Sequence, residues 1–343
     1  MEITHGQKTI SSFAISPRTL EPESYWKNVE NVGQWCRDYR FTGPLLFTGN
    51  DTFVEPWVCA QSVVERFGCS PLVAVNPVFM HPFSVAKMVS SYAYTFKRKV
   101  YLNMVTGTSL SQHEALNDRI DHDAKYDRLR EYIEIIQQLI TASPGPVTYE
   151  GNYYEVKDLA LVPPVDEALM PEFFIAGHSE KATEVREKTN SVGMQMLMPG
   201  LAADCNASKG IHFGLVTRKT EEAAWAAAEK RFPESERGKF ILERSMKNTD
   251  SVWKKRLKFA ADTLDQSDNG YWLAPFRSFQ ADCPYFIGSH AQVRDLVVSL
   301  IGKGIEHIIL DVPPEEQEFA EIASAYQLAQ AHLDAAWKVS AAK

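Results

Sequence analysis

Apolar positions along the chain fall into two alternating rhythms: short, nearly continuous runs, and longer stretches in which every third or fourth residue is apolar. The first rhythm predicts buried strands and the second amphipathic helices. Strands are expected over Ile10–Ile15, Pro44–Phe47, Pro71–Val75, Lys99–Val105, Glu172–Gly177, Val192–Met198, Ile211–Val216 and His307–Val312. Between them the spacing predicts helices over Glu23–Arg40, Phe53–Phe67, Pro82–Phe96, Asp121–Ile140, Ser179–Thr189, Glu221–Lys230, Phe240–Thr263, Ala291–Ile301 and Glu315–Trp337. The helix from Asp121 is typical, with Tyr126, Leu129, Ile133, Ile136 and Ile140 on one apolar stripe.

Strand-helix units repeated in this way predict a (β/α)8 TIM barrel, since parallel strands joined by right-handed crossovers close naturally into a ring. A doubly wound open sheet is the alternative, but no GxGxxG follows the first strand. The whole of 1–343 is read as a single domain. Three departures interrupt the rhythm. The stretch from Pro146 to Pro164 alternates around Glu150-Gly151-Asn152, which predicts a β-hairpin insertion after the fourth helix. The polar and aromatic stretch from Ser267 to Cys283, before the eighth strand, is expected to be a lid loop with Trp272, Phe276 and Phe279 as its apolar underside. PGLAADCNASKG, between the sixth and seventh strands, is too short for a full helix, so an oligomer partner is expected to cover the surface there.

Composition narrows the partners. The 343 residues carry a net charge of -8 with no run of lysines or arginines, which disfavours nucleic acid and anionic membrane. No apolar segment approaches the roughly 20 residues of a membrane span, and the N-terminus lacks the pattern of a secretory signal. A cytoplasmic protein is expected. The 5 cysteines are scattered without a CxxC pair, as reduced thiols would be.

The predicted strand ends are small, polar and hydrogen-bonding: Thr48-Gly49-Asn50-Asp51, Asn76-Pro77, Thr106-Gly107, Gly177-His178-Ser179, Pro199-Gly200, Thr217 and Asp311. Such a rim suits an uncharged ring system better than a metal. His122 lies one helical turn before Tyr126, just beyond the end of a strand, where helix N-termini attract anions. Ser179 opens the next helix; it is either part of an anion site or a plain N-cap. The triplet Asp121-His122-Asp123 cannot converge on one metal ion, because adjacent helical residues point in different directions. His212 lies in an apolar strand, either as a core histidine or as a reactive group.

Taken together, FTGPLLFTGN, AVNPVFMHPFSVAK, NMVTG, DHDAKYDRLREY, VTYEGNYYEV, FFIAGHSEKA, TRKTEEAAWAAAEK, KNTDSVWKKR and YFIGSHAQV resemble the luciferase-like flavin monooxygenases, most closely the alkanesulfonate monooxygenase branch. The resemblance implies FMN at the C-terminal rim of a barrel. It also implies an NAD(P)H:FMN reductase as partner, delivering reduced FMN that reacts with O2 to a C4a-peroxyflavin, and a homodimer. Carried over by position, His122, Tyr126 and Ser179, with the Gly177 and His178 backbone, would hold the phosphate and ribityl chain. Asn76, Asn103 and Thr106 would lie along the flavin, Arg277 would be the lid arginine, His212 an acid/base or orienting group, and Thr52 and Trp272 would face the substrate. The family's strand-seven motif has an arginine and, two residues on, a histidine. Here His212 and Gly214 stand in those places, and Thr52 stands nearest a family cysteine. The loss of a cationic contact implies a less anionic substrate than a sulfonate. A deazaflavin-dependent dehydrogenase of the same superfamily and a degenerate flavin-binding barrel are the alternatives.

Overall fold

The computed structural model describes residues 2–15, 21–50, 52–107, 109–177, 179–199, 208–263, 269–312 and 315–341. In chain order the elements begin β1 (Ile3–His5), β2 (Lys8–Ile15), α1 (Pro22–Asp38), β3 (Gly43–Leu46), α2 (Pro56–Phe67), β4 (Leu72–Val75), α3 (Pro82–Phe96) and β5 (Tyr101–Met104). There follow α4 (Leu110–Ala115), α5 (His122–Ala142), β6 (Pro146–Glu150), β7 (Glu155–Ala160), β8 (Phe173–Ala176), α6 (Glu180–Thr189) and β9 (Val192–Met196). The last are β10 (Gly210–Arg218), α7 (Glu221–Arg231), α8 (Glu236–Lys247), α9 (Val252–Thr263), β11 (Tyr271–Trp272), α10 (Ala274–Arg277), β12 (Tyr285–Ser289), α11 (His290–Gly302), β13 (His307–Asp311) and α12 (Glu316–Ala341). The hydrogen-bonded order β2-β3-β4-β5-β8-β9-β10 continues through β13 back to β2, the eight-stranded closure of a parallel (β/α)8 barrel. All eight strands expected from the apolar runs are present.

By internal packing the chain divides into two compact units, Met1–Pro17 with Asn31–Pro44 and Met194–Lys343, and Arg18–Glu30 with Leu45–Gly193. In the second unit, β4, β5 and β8 run parallel, and α5 buries Leu129, Tyr132, Ile133, Ile135, Ile136 and Leu139 completely. The inserted hairpin β6–β7 is antiparallel, as expected. It is tied to α5 by Glu131, a carboxylate only 1% exposed, which accepts hydrogen bonds from the backbone N–H groups of Asn152 (2.9 Å), Tyr153 (2.8 Å) and Tyr154 (3.3 Å). A Cβ on Gly151 would stand 2.4 Å from the same carboxylate, so glycine lets the turn come close enough to be capped.

In the first unit, β10 carries three neighbours: β9, β13 and, along its C-terminal half, β12. Here the structure departs from expectation. YFIGS forms a parallel strand, β12, beyond the eight of the ring. The helix expected over Phe240–Thr263 is two helices, because Asn248-Thr249-Asp250-Ser251 is a run of capping residues. Thr249 Oγ1 accepts from Ser251 N at 3.2 Å, and Ser251 Oγ from Lys254 N at 3.2 Å, so each bond competes with helical continuation. The short segment expected to lack a full helix between the sixth and seventh strands lies largely outside the described residues.

Candidate active site

The predicted anion-binding residues come together in the second unit. Ser179 is the N-cap of α6, its Oγ accepting from Ala182 N at 3.1 Å, and Asp121 caps α5 in the same way through Ala124 N at 2.8 Å. His122 packs on Tyr126 with ring centroids 5.1 Å apart, while its Nδ1 meets Asp123 Oδ1 at 2.8 Å. Tyr126 Oη donates to Ala176 O across 3.4 Å. Gly177 follows with φ +136, where an L side chain is strained, and a Cβ there would stand 2.6 Å from Tyr126 Oη. The glycine therefore lets a phenol lie directly on the strand-to-helix turn. His178 lies outside the described residues.

Two residues that the sequence reading passed over fix this turn. Arg186 of α6, 6% exposed, donates from Nη1 to Gly177 O at 2.6 Å, and burial draws its guanidinium pKa down from the ordinary value. Lys181 reaches across from α6 to Asp127 Oδ1 of α5 at 2.8 Å. The two helix N-termini are thereby held together, and each adds a positive dipole end to the same corner. That corner is suited to a phosphate.

A second polar group lines the ends of β4 and β5. Asn76 is 6% exposed, and its Oδ1 accepts from Val78 N at 3.0 Å, which turns its amide nitrogen toward Gly107. Asn103 sits part-buried on β5 in register with Ala74 and Phe174, and Thr106 follows, also part-buried. Thr52, by contrast, donates its hydroxyl to Gly49 O at 2.8 Å within a turn after β3. Next to Asn76 lies His113, on the short helix α4. His113 Nδ1 meets Asp118 Oδ2 at 2.7 Å, and Asp118 is gripped by Arg128 through bonds of 2.7 and 2.9 Å. Arg128, then the His113 contact, hold the Asp118 carboxyl below the usual carboxylate range against the opposing effect of burial.

The predicted residues of the first unit are placed differently. His212 lies part-buried on β10, in register with Met196 and Ile309. Gly214, two residues on, has no room for a side chain: a Cβ would stand 2.1 to 2.3 Å from the ring carbons of Tyr285. Tyr285 and Asp311 are both in register with Gly214, on its two sides. The Tyr285 phenol is fully enclosed, and burial first, then the Asp311 charge, raise its pKa well above the ordinary value. Asp311 also takes a contact from Cys283 Sγ at 3.7 Å.

The expected lid needs correction over its described part. Tyr271 and Trp272 form β11, antiparallel to β12, and Ala274–Arg277 is a helical turn. Trp272, expected to face substrate, is 7% exposed and packs in a core cluster with Val216, Ala224, Ala228 and Tyr285. Phe276 is buried as well, and Arg277, expected as the lid arginine, donates from Nε to Ala261 O of α9 at 2.7 Å. The aromatic content that suggested an apolar underside is used for internal packing; of the three aromatic residues, only Phe279 is exposed, at 38%.

Comparison with known proteins places similar chains beside this one. Residues 72–196, which contain the N-termini of α5 and α6, match the family model described as luciferase-like monooxygenase. Over 308 residues the chain is 25% identical to the 4-(gamma-L-glutamylamino)butanoyl-[BtrI acyl-carrier protein] monooxygenase BtrO of Niallia circulans, covering 87% of this chain and 89% of that one. Among solved structures it resembles EDTA monooxygenase EmoA from Chelativorans sp. BNC1, at 15% identity and TM-score 0.65 over 93% of each chain. It also resembles the oxygenating constituent of 3,6-diketocamphane monooxygenase from Pseudomonas putida in complex with FMN. That likeness has 12% identity and TM-score 0.63, over 94% of this chain and 97% of the other. These structural likenesses show a shared barrel fold.

Proposed function

We propose that this chain, whose central segment is that of the luciferase-like monooxygenase family, is the oxygenating component of a two-component flavin monooxygenase. It takes reduced FMN from a separate NAD(P)H:FMN reductase and oxygenates a small organic substrate with O2. The observation that carries this reading is the paired N-termini of α5 and α6, with Tyr126 lying on Gly177 where any side chain would collide. A phosphate monoester fits that corner, held by Ser179, His122, Tyr126 and the backbone after Gly177, while Asn76, Asn103 and Thr106 offer neutral hydrogen bonds to an uncharged ring. Reduced FMN, when bound, supplies the electrons that activate O2; the residues bind the cofactor, orient it and keep water from it. His212 is the proposed acid/base group. The commitment of Arg277 to Ala261 points to a structural role in joining α10 to α9.

The test is anaerobic titration with photoreduced FMN, followed by O2 uptake with a reductase present. Binding and substrate-dependent uptake are expected; binding of a reduced deazaflavin without uptake would favour a dehydrogenase instead. Tyr126→Phe with Ser179→Ala should weaken reduced-FMN binding by about 1 to 3 kcal/mol, the scale of hydrogen bonds to a charged group. Unchanged affinity would move the phosphate elsewhere, for instance to the end of the last strands. A homodimer is proposed, and light scattering at micromolar concentration reads it directly.

A further inference from the structure

The two most exposed large apolar side chains among the described residues lie on neighbouring helices of the first unit: Phe259 of α9, at 71%, and Phe240 of α8, at 63%. The helices run antiparallel. Lys254 Nζ donates to Ser245 Oγ at 2.8 Å and Lys258 Nζ meets Glu243 Oε1 at 3.1 Å, so a step back along α8 goes with a step forward along α9. Phe240 is thereby level with the turn of α9 that carries Phe259. Ile241 and, two turns before Phe259 on the same side of α9, Val252 are exposed too, while Leu242, Leu257, Ala260 and Ala261 are buried on the inner sides. Single apolar residues on a surface need no explanation; two phenylalanines at one level of a helix pair mark a surface built for contact.

The charge of these helices opposes that of the whole. Residues 236–263 hold eight lysines and arginines against four aspartates and glutamates, in a chain of net charge -8. Three of the eight are engaged: Lys239 with Glu236, Lys254 with Asp282 and Lys258 with Asp262. Arg237, Arg244, Lys247, Lys255 and Arg256 are exposed and form no ion pair among the described residues. Arg237 and Arg244 lie one turn to either side of Phe240, and Lys255 and Arg256 one turn before Phe259. We propose that the outer face of α8 and α9 docks an acidic amphipathic helix of a partner protein. Its apolar residues pack on Phe240 and Phe259, the aromatic anchors, and its carboxylates meet the flanking cations, which steer the encounter and fix the register. Other occupants fit worse. A second copy of this chain would set the same five cations against themselves. An anionic lipid surface would have to take up Glu243 and Asp262, whose side chains are 60% and 56% exposed, whereas a helix can place donors opposite them. The inference involves no flavin, so it stands apart from the cofactor reading.

The experiment titrates the full chain calorimetrically with a stapled amphipathic helical peptide whose polar face is glutamate, and with its glutamine and lysine counterparts. Wild type should bind the glutamate peptide about tenfold more tightly than the glutamine one and should not bind the lysine one. Phe240→Ala with Phe259→Ala should weaken the glutamate peptide about tenfold. Lys255→Glu with Arg256→Glu should weaken it as well and bring in binding of the lysine peptide, a reversal that loss of folding cannot produce. No binding of the glutamate peptide by wild type at low salt, or equal binding of all three peptides, overturns the proposal. Binding of phosphatidylglycerol vesicles that the glutamate peptide does not displace and the charge reversal abolishes overturns it in favour of a membrane. So does a wild-type dimer that F240A/F259A makes monomeric in light scattering, since a second copy would then cover the face.

Discussion

Gly107 and Gly177 of the second unit and Gly214 of the first are used in opposite ways. In the second unit, the places where Gly177 and Gly107 would carry a Cβ are bordered by polar atoms: Tyr126 Oη in one case, His113 Nε2 and Asn76 Nδ2 in the other. In the first unit, the corresponding place beside Gly214 is filled by carbons of the Tyr285 ring. The same absence of a side chain keeps hydrogen-bonding groups gathered at a rim in one region and admits an aromatic plug in the other. A glycine in a motif position therefore says little until the atoms occupying its missing Cβ are known. At residue 214 the space a side chain would take is held by packing, while Gly107 and Gly177 keep polar company.

The sharpest way to break this comparison is Gly214→His, which drives a side chain into space held by Tyr285. It should cost about 3 kcal/mol by overpacking, read as a lowered urea midpoint, and Tyr285→Ala should relieve much of that cost in the double variant. A well-tolerated G214H would mean that the ring moves aside freely and that the two classes of glycine are alike. Gly177→Ala should have the next largest effect, about 2 kcal/mol, because it combines a backbone conformation unsuited to alanine with collision against Tyr126 Oη. Its loss of reduced-FMN affinity should exceed its loss of stability. The smallest effect concerns acid. The Asp118 carboxyl has a folded pKa below its unfolded value, so its contribution to stability is present above about pH 4 and is lost as pH falls through the lower folded value. Wild type should lose stability across that window more steeply than Asp118→Asn; parallel acid profiles would contradict the pairing with Arg128.

Much of the architecture was legible because a buried parallel strand is a short apolar run and its covering helix an amphipathic one. The meeting of the α5 and α6 N-termini was legible too, since His122 and Tyr126 are one turn apart and Ser179 follows a strand closely. What escaped depended on distant contacts. β12 is a short strand preceding a longer helix, and nothing local sets YFIGS apart from a loop. His113 stands alone in a polar segment; its meaning comes from Asp118, Arg128, Asn76 and Gly107, brought together by β5, α4 and α5. Trp272 and Arg277 misled because aromatic and cationic residues in a long connection suit a lid as well as a small packed substructure.

The ties from Glu131 to the hairpin turn have a consequence for recombining this chain with its relatives. The insertion is often the segment one would exchange, since its boundaries are clear and its strands pair with each other. Yet the partner of three of its backbone N–H groups lies on the helix that opens with His122 and Tyr126. A crossover placed between 131 and 152 separates a buried carboxylate from its donors and leaves each half with an unmet requirement. A junction upstream of α5, moving helix and hairpin as one block, keeps the pair intact and carries His122 and Tyr126 with it.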